Sequence, residues 1–267
     1  STAIALQAAL GNTNGLAWQA SSDTLFAGAF FGGRGTSYGP GGAGGVYSVP
    51  NAYSAGAAGG ALFKNLDDYS IATGPDTISD PCVVAGAGNT AADGCFHDVG
   101  SRGLGDLELS LDGNTLYVVN PFADQLVSLA IGTPPSAPGS ATTIAIPRPA
   151  NCPTAEDFIP FALGVAPDTG KVYVGATCIG RSTQSTANLR GYVYEWSGSG
   201  AFPTTPVLDF ALNYPRNTMV GPHIWRPWAA TSAPAPSSRS PLLADIGFDR
   251  GDLVLTIADT FGFKTNV

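Results

Sequence analysis

The sequence is poor in charged residues, and basic side chains are the scarcer kind. Only 12% of the 267 residues are charged, and 12 Lys and Arg against 20 Asp and Glu give a net charge of −8. Proteins that bind nucleic acid usually present a basic face to the phosphate backbone, so we exclude a nucleic-acid partner. The chain also lacks a run of about 18 apolar residues, the length that a membrane-spanning helix needs. We therefore expect no transmembrane segment.

Histidine is almost absent, and the four cysteines do not follow a metal-binding pattern. With two His and no Cys-x-x-Cys pair, the spacings of a zinc site are missing. Cys82 and Cys95 lie close in the sequence, as do Cys152 and Cys178, so we predict two local disulfides. Four buried free thiols in a cytosolic protein are the alternative. Disulfides persist in oxidising compartments, which predicts a secreted, extracellular or cell-surface protein.

Glycine and proline are abundant, and they interrupt a chain that is otherwise rich in strand-forming residues. The 35 Gly and 21 Pro accompany 44% hydrophobic residues, a composition that favours short strands and structured loops over long helices. One pattern occurs four times: an apolar strand, a polar turn with Asp and often Gly, and a second apolar strand. It is typical of a β-hairpin. The four copies lie near residues 15–28, 105–120, 161–175 and 244–259.

The hairpins predict a β-propeller. Two more strand-like runs follow each of the first three hairpins, and repeated units of four antiparallel strands form the blades of a propeller. We therefore predict one all-β propeller domain over residues 1–267, with long Gly-, Ser- and Pro-rich loops inserted between strands. Three complete blades and half of a fourth do not close a ring, so we expect the propeller to be incomplete at the C-terminus. An irregular β-sandwich is the alternative.

Several segments, taken as a set, carry a family resemblance. They are GDLELS at 105–110, DGNTLYVVNP at 112–121, PFAL at 160–163, KVYVG at 171–175, LRGYVY at 189–194, VLDFALNYPR at 207–216, WRPW at 225–228 and LADIGFD at 243–249. The set resembles the propeller region of bacterial secreted surface proteins labelled SdrD B-like. This resemblance implies an exported cell-surface or matrix protein without an assigned enzymatic activity, and it transfers no catalytic residues.

Acidic residues at the starts of the predicted inner strands are the main candidates for a ligand or metal site. Asp106, Glu108 and Asp245 would lie where the central channel of a propeller opens, with Asn120 nearby, and such oxygen ligands suit Ca²⁺ or a cationic ligand. Calcium needs six to eight oxygens, and the chain has no Asp-x-Asp-x-Asp-Gly loop. The alternative is that Asp106 and Asp245 accept hydrogen bonds from backbone N–H groups and lock blades together. We therefore expect no cofactor, with Ca²⁺ as the candidate metal.

A dense aromatic and cationic cluster occurs further along the chain. It consists of Tyr214, Arg216, Trp225, Arg226 and Trp228. Aromatic faces beside guanidinium groups can bind carbohydrate or another protein surface, so this cluster predicts a surface carbohydrate site or a self-association patch. Packing of the cluster beneath the neighbouring Ala-, Pro- and Ser-rich loop is the alternative.

Two functions are compatible with these features. The first is a secreted structural or adhesive propeller protein without catalysis, able to self-assemble into an extracellular filament or matrix. The alternative is a channel-centred hydrolase or lactonase with a divalent metal bound near Asp106, Asn120 and Asp245. The pair formed by His97 and Asp98 does not indicate a serine hydrolase, because the sequence has no Gly-x-Ser-x-Gly motif.

Overall fold

The protein is built almost entirely from β-strands. The computed structural model describes residues 4–32, 37–54, 59–76, 98–217, 222–228 and 240–260. A short helix, α1 (Gln7–Leu10), precedes the strands, and 3-10 turns lie at Gly42–Gly44, Leu66–Tyr69, Ala155–Asp157 and Thr186–Asn188. Within these described residues, no helix is long and apolar enough to cross a membrane.

Three sheets have four antiparallel strands each, and every strand pairs with the next one along the chain. The first sheet contains β1 (Thr13–Gln19), β2 (Thr24–Ala29), β3 (Gly45–Pro50) and β4 (Ala61–Asn65). The second contains β5 (Leu107–Leu109), β6 (Thr115–Asn120), β7 (Gln125–Ala130) and β8 (Thr142–Ala145). The third contains β9 (Phe158–Val165), β10 (Val172–Cys178), β11 (Arg190–Trp196) and β12 (Leu208–Ala211).

Two further hairpins complete the described strands. A small one pairs β13 (Pro215–Asn217) with β14 (Pro222–Ile224), and a long one pairs β15 (Pro241–Asp249) with β16 (Asp252–Asp259). The predicted all-β class and the four predicted hairpins are therefore confirmed. The four-stranded sheets are like propeller blades, but the described strands do not close a ring.

Left-handed backbone at the hairpin turns explains why Asp and Gly in the sequence predict the positions of these turns. Asp23, Gly113, Gly170 and Gly251 all have positive φ, between 51° and 91°. Glycine and Asp tolerate this conformation better than most residues. These residues therefore fix the position of each turn, and each turn sets the pairing register of its hairpin.

Consecutive units pack face to face across apolar cores. Val46, Leu107 and Val118 belong to the core between the first and second sheets, whereas Val119, Leu163 and Tyr192 belong to the core between the second and third. Leu243 of the β15–β16 hairpin packs with Ala162 of the third sheet. The first strands of the units, β1, β5, β9 and β15, are neighbours in that order. We call these four the leading strands.

The leading strands approach so closely that some positions require glycine. A Cβ atom on Gly105 would lie 2.7 Å from the carbonyl oxygen of Phe161, and one on Gly164 would lie 2.5 Å from that of Ile246. Real Cβ atoms do not approach a backbone oxygen to such distances. The missing side chains therefore allow β5 to contact β9, and β9 to contact β15.

A disulfide closes the start of the third sheet. Cys152, in the connection before β9, is bonded to Cys178 at the end of β10, and both side chains are buried. This pair was predicted from the sequence and is confirmed. Cys82 and Cys95 lie outside the described residues, so the second disulfide stays a prediction.

Candidate functional site

Asp245, one of the predicted channel residues, occupies the same place on β15 as Leu16 does on β1. Strand irregularities lie between Asn14 and Leu16 and between Leu243 and Asp245, so Leu16 and Asp245 each follow a bulge. Beyond each bulge, side chains alternate between a packed and an open side of the strand: Leu16 is exposed, the next residue is buried, and Trp18 is exposed. Asp245 is likewise exposed at the equivalent place on β15.

Both carboxyl oxygens of Asp106 accept hydrogen bonds from backbone N–H groups. Oδ1 accepts a hydrogen bond from the backbone N–H of Leu107 at 2.9 Å, and Oδ2 accepts one from Leu163 of β9 at 3.2 Å. The Asp106 N–H in turn donates to the carbonyl oxygen of Phe161 at 2.8 Å. Burial, followed by the charge of Asp245, raises the pKa of Asp106 to about 8. Asp106 therefore joins β5 to β9.

Glu108, the second of the predicted acidic residues, has a half-buried side chain. Burial is the main reason why its pKa rises to about 7, and the charge of Asp245 raises it further, while a backbone hydrogen bond from Leu109 lowers it. We refer to Asp106, Glu108 and Asp245 as the carboxylate cluster. A carboxyl with a pKa near 7 can both accept and return a proton at neutral pH.

Small residues on β9 separate the members of this cluster. Ala162 and Gly164 occupy the strand that lies between β5 and β15, and neither carries a bulky side chain. The Asp245 charge raises the pKa of both Asp106 and Glu108, although β9 lies between their strands.

Asn120 is not part of the carboxylate cluster. Its side chain is fully buried, its Nδ2 donates to the carbonyl oxygen of Ala72 at 3.0 Å, and its Oδ1 accepts from the N–H of Phe122 at 3.2 Å. The amide thus holds the turn after β6 against the connection before β5. These contacts correct the prediction that Asn120 belongs to a metal site, because its Nδ2 and Oδ1 atoms both make hydrogen bonds to the backbone.

The cluster does not fit the predicted divalent metal. Asp106 uses both of its oxygens for backbone N–H groups, and in the part of the chain that the structure describes, no three or more His, Cys, Asp or Glu side chains are arranged to hold a metal ion. Calcium would need six to eight oxygen ligands.

The predicted aromatic and cationic patch does not form one exposed surface. Trp225 is 3% exposed and packs with Leu189 and Leu212, whereas Trp228 is 2% exposed and belongs to another core, where its Nε1 donates to the Pro241 carbonyl oxygen. Tyr214 and Arg226 are exposed, and Arg216 pairs through its backbone in β13. The tryptophans therefore serve packing, because their large apolar surfaces are removed from water.

A cavity that sequence reasoning missed lies where four connections meet. It has a volume of about 390 Å³, and its lining includes Arg102, Phe122, Asp124, Glu156 and Arg181. These residues come from the connections before β5, after β6, before β9 and after β10. No spacing in the sequence links them, because only the packing of the sheets brings the connections together.

No family model and no curated protein matches the chain. Among solved structures, the chain is similar to a luciferin-regenerating enzyme, with 15% sequence identity and a TM-score of 0.40. The similarity covers 74% of this chain and 48% of that enzyme's chain, so this chain spans about half the length of the solved relative. The resemblance to SdrD B-like surface proteins stays a prediction.

The predicted structural or adhesive role without catalysis is corrected by these findings. The two tryptophans of the patch predicted for carbohydrate binding or self-association are buried in two different cores. The carboxylate cluster, in contrast, offers acid–base chemistry at neutral pH. These groups are compatible with the hydrolase or lactonase of the alternative prediction, but not with the divalent metal that this prediction included.

Proposed function

We propose that the four units are blades of a β-propeller and that the protein is a hydrolase of small esters or lactones, with its reaction centre on the leading strands. The observation that carries this proposal is Glu108, a half-buried carboxyl whose pKa is raised to about 7. Burial, other carboxylates and backbone N–H groups account for the shifts at Asp106 and Glu108. Glu108 is therefore poised to act as a general base.

The reaction needs one proton acceptor and one water molecule. The Glu108 carboxylate takes a proton from water while the water oxygen forms a bond to the carbonyl carbon of the ester. The bond between that carbon and the leaving oxygen then breaks, and the protonated Glu108 returns its proton to the leaving alkoxide. Asp245 raises the basicity of Glu108 through its negative charge. Asp106 is a positioning residue, because its oxygens hold the backbone.

An apolar surface for the substrate lies on the neighbouring leading strand. Leu16 is 58% exposed and Trp18 is 51% exposed, both on β1, which packs beside β5. Exposed apolar side chains next to a polar reaction centre are typical of ligand sites. We assign these two side chains to the acyl part of the substrate.

The Cys152–Cys178 disulfide supports a location outside the cytoplasm for this hydrolase. Structural disulfides persist in oxidising compartments and are rare in the reducing cytosol. We therefore propose that the protein is secreted or held at the cell surface.

The test is an assay of the purified chain with 4-nitrophenyl acetate and δ-valerolactone. Glu108→Gln should lower kcat by about 10² to 10⁴, the usual contribution of a general base, and Asp245→Asn should shift the rate profile to lower pH. Glu195→Gln and Asp168→Asn are matched controls, since Glu195 pairs with Lys171 on the third sheet and Asp168 lies in an exposed turn.

Two results would overturn the proposal. One is the absence of hydrolysis of both substrates by the wild-type chain, and the other is unchanged activity in Glu108→Gln. Activity that disappears after dialysis against EDTA and returns with Ca²⁺ would replace the metal-free step with a metal-dependent one.

A further inference from the structure

Two aromatic rings at one end of the first sheet are exposed to solvent and lie beside one another. Trp18 of β1 is 51% exposed, and Tyr53, which follows β3, is 86% exposed. Their ring centres are 6.3 Å apart, and the ring planes are inclined to each other by 43°. Single exposed apolar side chains are common on protein surfaces, whereas contiguous ones mark interaction sites.

Asp23 holds the two aromatic residues in place. It lies in the turn between β1 and β2, and its Oδ1 accepts hydrogen bonds from the Tyr53 N–H at 2.9 Å and from Trp18 Nε1 at 3.4 Å. Its Oδ2 accepts hydrogen bonds from the N–H and the Oγ of Ser54, at 3.0 and 2.6 Å. These bonds fasten the segment after β3 to the β1–β2 turn. The rings are therefore ordered before a ligand binds, which lowers the entropic cost of binding.

The Asp23 carboxylate also places a negative charge beside both rings. The hydrogen bond from Ser54 Oγ, followed by the one from the Tyr53 N–H, lowers the pKa of Asp23, so this group is ionised at neutral pH. The carboxylates that form ion pairs with Lys or Arg in the described residues are others, namely Asp68, Asp98, Glu195, Asp209 and Asp249. The charge of Asp23 is therefore available to a cation from solution.

The faces of the two rings attract positive charge as well, because the π-system of an aromatic ring is negative on its faces. Over the described ranges, the Lys and Arg side chains that lie over aromatic rings do so at Tyr69, Phe31 and Trp228. Trp18 and Tyr53 are not among these rings. The site therefore combines two accessible aromatic faces with one fixed negative charge.

We propose that Trp18, Tyr53 and Asp23 bind the trimethylammonium group of a small organic cation. Aromatic rings recognise quaternary ammonium groups through cation–π attraction. A primary ammonium suits exposed rings less well, because it is compact and strongly hydrated. Trp18 is one of the side chains assigned to the acyl part of the ester, so the inference rests on the proposed function where it names the class of that part: an acyl group that carries a trimethylammonium. Binding of the cation itself does not depend on the reaction.

The test is an NMR titration of the purified chain with choline, followed on the indole N–H signals of its four tryptophans. Trp18→Phe assigns the Trp18 signal by its disappearance. The other three tryptophans, Trp196, Trp225 and Trp228, are at most 5% exposed, so the Trp18 signal should shift most.

Two comparison ligands separate charge from shape. The alcohol 3,3-dimethylbutan-1-ol has the shape of choline without its charge, and ethanolamine has a charge without the methyl groups. Choline should bind about five- to thirtyfold more tightly than the neutral alcohol, the usual gain from two exposed cation–π contacts. It should also bind more tightly than ethanolamine, whose ammonium is more strongly hydrated.

Variants test the ring and the carboxylate. Tyr53→Ala should weaken choline binding about two- to fivefold, the loss of one exposed cation–π contact, whereas Tyr53→Phe keeps a ring and should bind as the wild type does. Tyr214→Ala is the matched control, since Tyr214 is another exposed tyrosine, and it should leave binding unchanged. Asp23→Asn should weaken the binding of choline more than that of the neutral alcohol.

The outcomes distinguish this site from the proposed hydrolase. Equal affinity for choline and the neutral alcohol, or full affinity in Tyr53→Ala, would overturn the trimethylammonium site. Choline binding without hydrolysis of either test ester would retain the site and overturn only the hydrolase, whereas ester hydrolysis without choline binding would overturn only the site. Sedimentation with phosphatidylcholine vesicles distinguishes a lipid headgroup from a free cation. A small cation predicts that the protein stays in the supernatant, and co-sedimentation that Tyr53→Ala abolishes would replace the small cation with a lipid.

Discussion

The Oδ2 atom of Asp106 accepts a hydrogen bond from the backbone N–H of Leu163 at 3.2 Å, although the two residues are 57 positions apart in the sequence. This contact ties the leading strand of the second sheet to that of the third. It places an ionisable group in the joint between two units, next to the carboxyl group of Glu108. The same residue therefore affects both the stability of the fold and the charge of the proposed reaction centre.

Removal of the Asp106 side chain should destabilise the protein. Asp106→Ala leaves the N–H groups of Leu107 and Leu163 without their acceptor in a buried place, and each such loss costs about 1–3 kcal/mol. Urea unfolding at about pH 4, where the raised pKa of Asp106 does not yet reduce the stability of the wild type, should therefore show a loss of about 2 kcal/mol or more. Asp168→Ala in the exposed β9–β10 turn is the control, with an expected change within about 0.5 kcal/mol. Equal stability of the two variants would contradict the proposal that Asp106 stabilises the contact between β5 and β9.

The free energy of unfolding should decrease as the pH rises from about 4 to 8. The folded protein holds protons on Asp106 up to a pKa of about 8 and on Glu108 up to about 7, whereas unfolded carboxyls lose them near pH 4. Between these values the native state binds more protons, so each group reduces stability by up to about 1.4 kcal/mol per pH unit. Urea titrations from pH 5 to 9 measure this slope.

The double variant Asp106→Asn/Glu108→Gln tests whether these two carboxyls cause the decrease in the free energy of unfolding with pH. It cannot release these two protons, so its stability should vary less over the same range. A wild-type stability that stays constant or increases between pH 5 and 8 would contradict the raised pKa values.

Alanine at Gly164 should push two leading strands apart. Its Cβ would lie 2.5 Å from the Ile246 carbonyl oxygen, and overpacking of this kind costs about 1–3 kcal/mol. The control is Gly139→Ala, because a Cβ there meets nothing within 4 Å. Thermal unfolding should show a lower Tm for Gly164→Ala alone. If both variants matched the wild type, the close approach of β9 and β15 would be incorrect.

Loss of the Cys152–Cys178 disulfide should destabilise the third sheet. The bond links residues 26 positions apart, and cross-linking a loop of that length stabilises a protein by about 3.5 kcal/mol in the chain-entropy description. Cys152→Ala/Cys178→Ala should lower the midpoint of urea unfolding accordingly. Peptide mapping of the non-reduced wild-type chain gives the control and also tests the predicted Cys82–Cys95 pair. An unchanged midpoint would show that the bond contributes nothing.

The hairpins were predictable from the sequence because their signals are local. The Asp112-Gly113 turn and the Asp168-Thr169-Gly170 turn each lie between two alternating apolar runs, and a tight turn fixes the strands on both sides. The acidic residues of the leading strands were found for the same reason, since Asp106 and Asp245 follow the start of the repeated pattern. Their electrostatic interaction was not predictable, because it depends on the packing of β5, β9 and β15 side by side.

The aromatic cluster and the cavity depended on packing that the sequence does not reveal. Trp225 and Trp228 are three residues apart, yet they enter two different cores. Arg102 and Arg181 are 79 positions apart and meet only because the connections of neighbouring sheets converge. Neither relationship has a sequence spacing that indicates it.

The most direct test of the account is the pKa of Glu108, measured by NMR on protein labelled with ¹³C at the glutamate carboxyl carbon. The chain has three glutamates, Glu108, Glu156 and Glu195, so Glu108→Gln assigns the signal by its disappearance. We predict that this signal titrates near pH 7 and shifts to lower pH in Asp245→Asn. Glu195 should titrate below its ordinary pKa because Lys171 and Tyr173 donate hydrogen bonds to it. Titration of Glu108 near pH 4.3, the value of an ordinary exposed glutamate, would contradict the proposed general base.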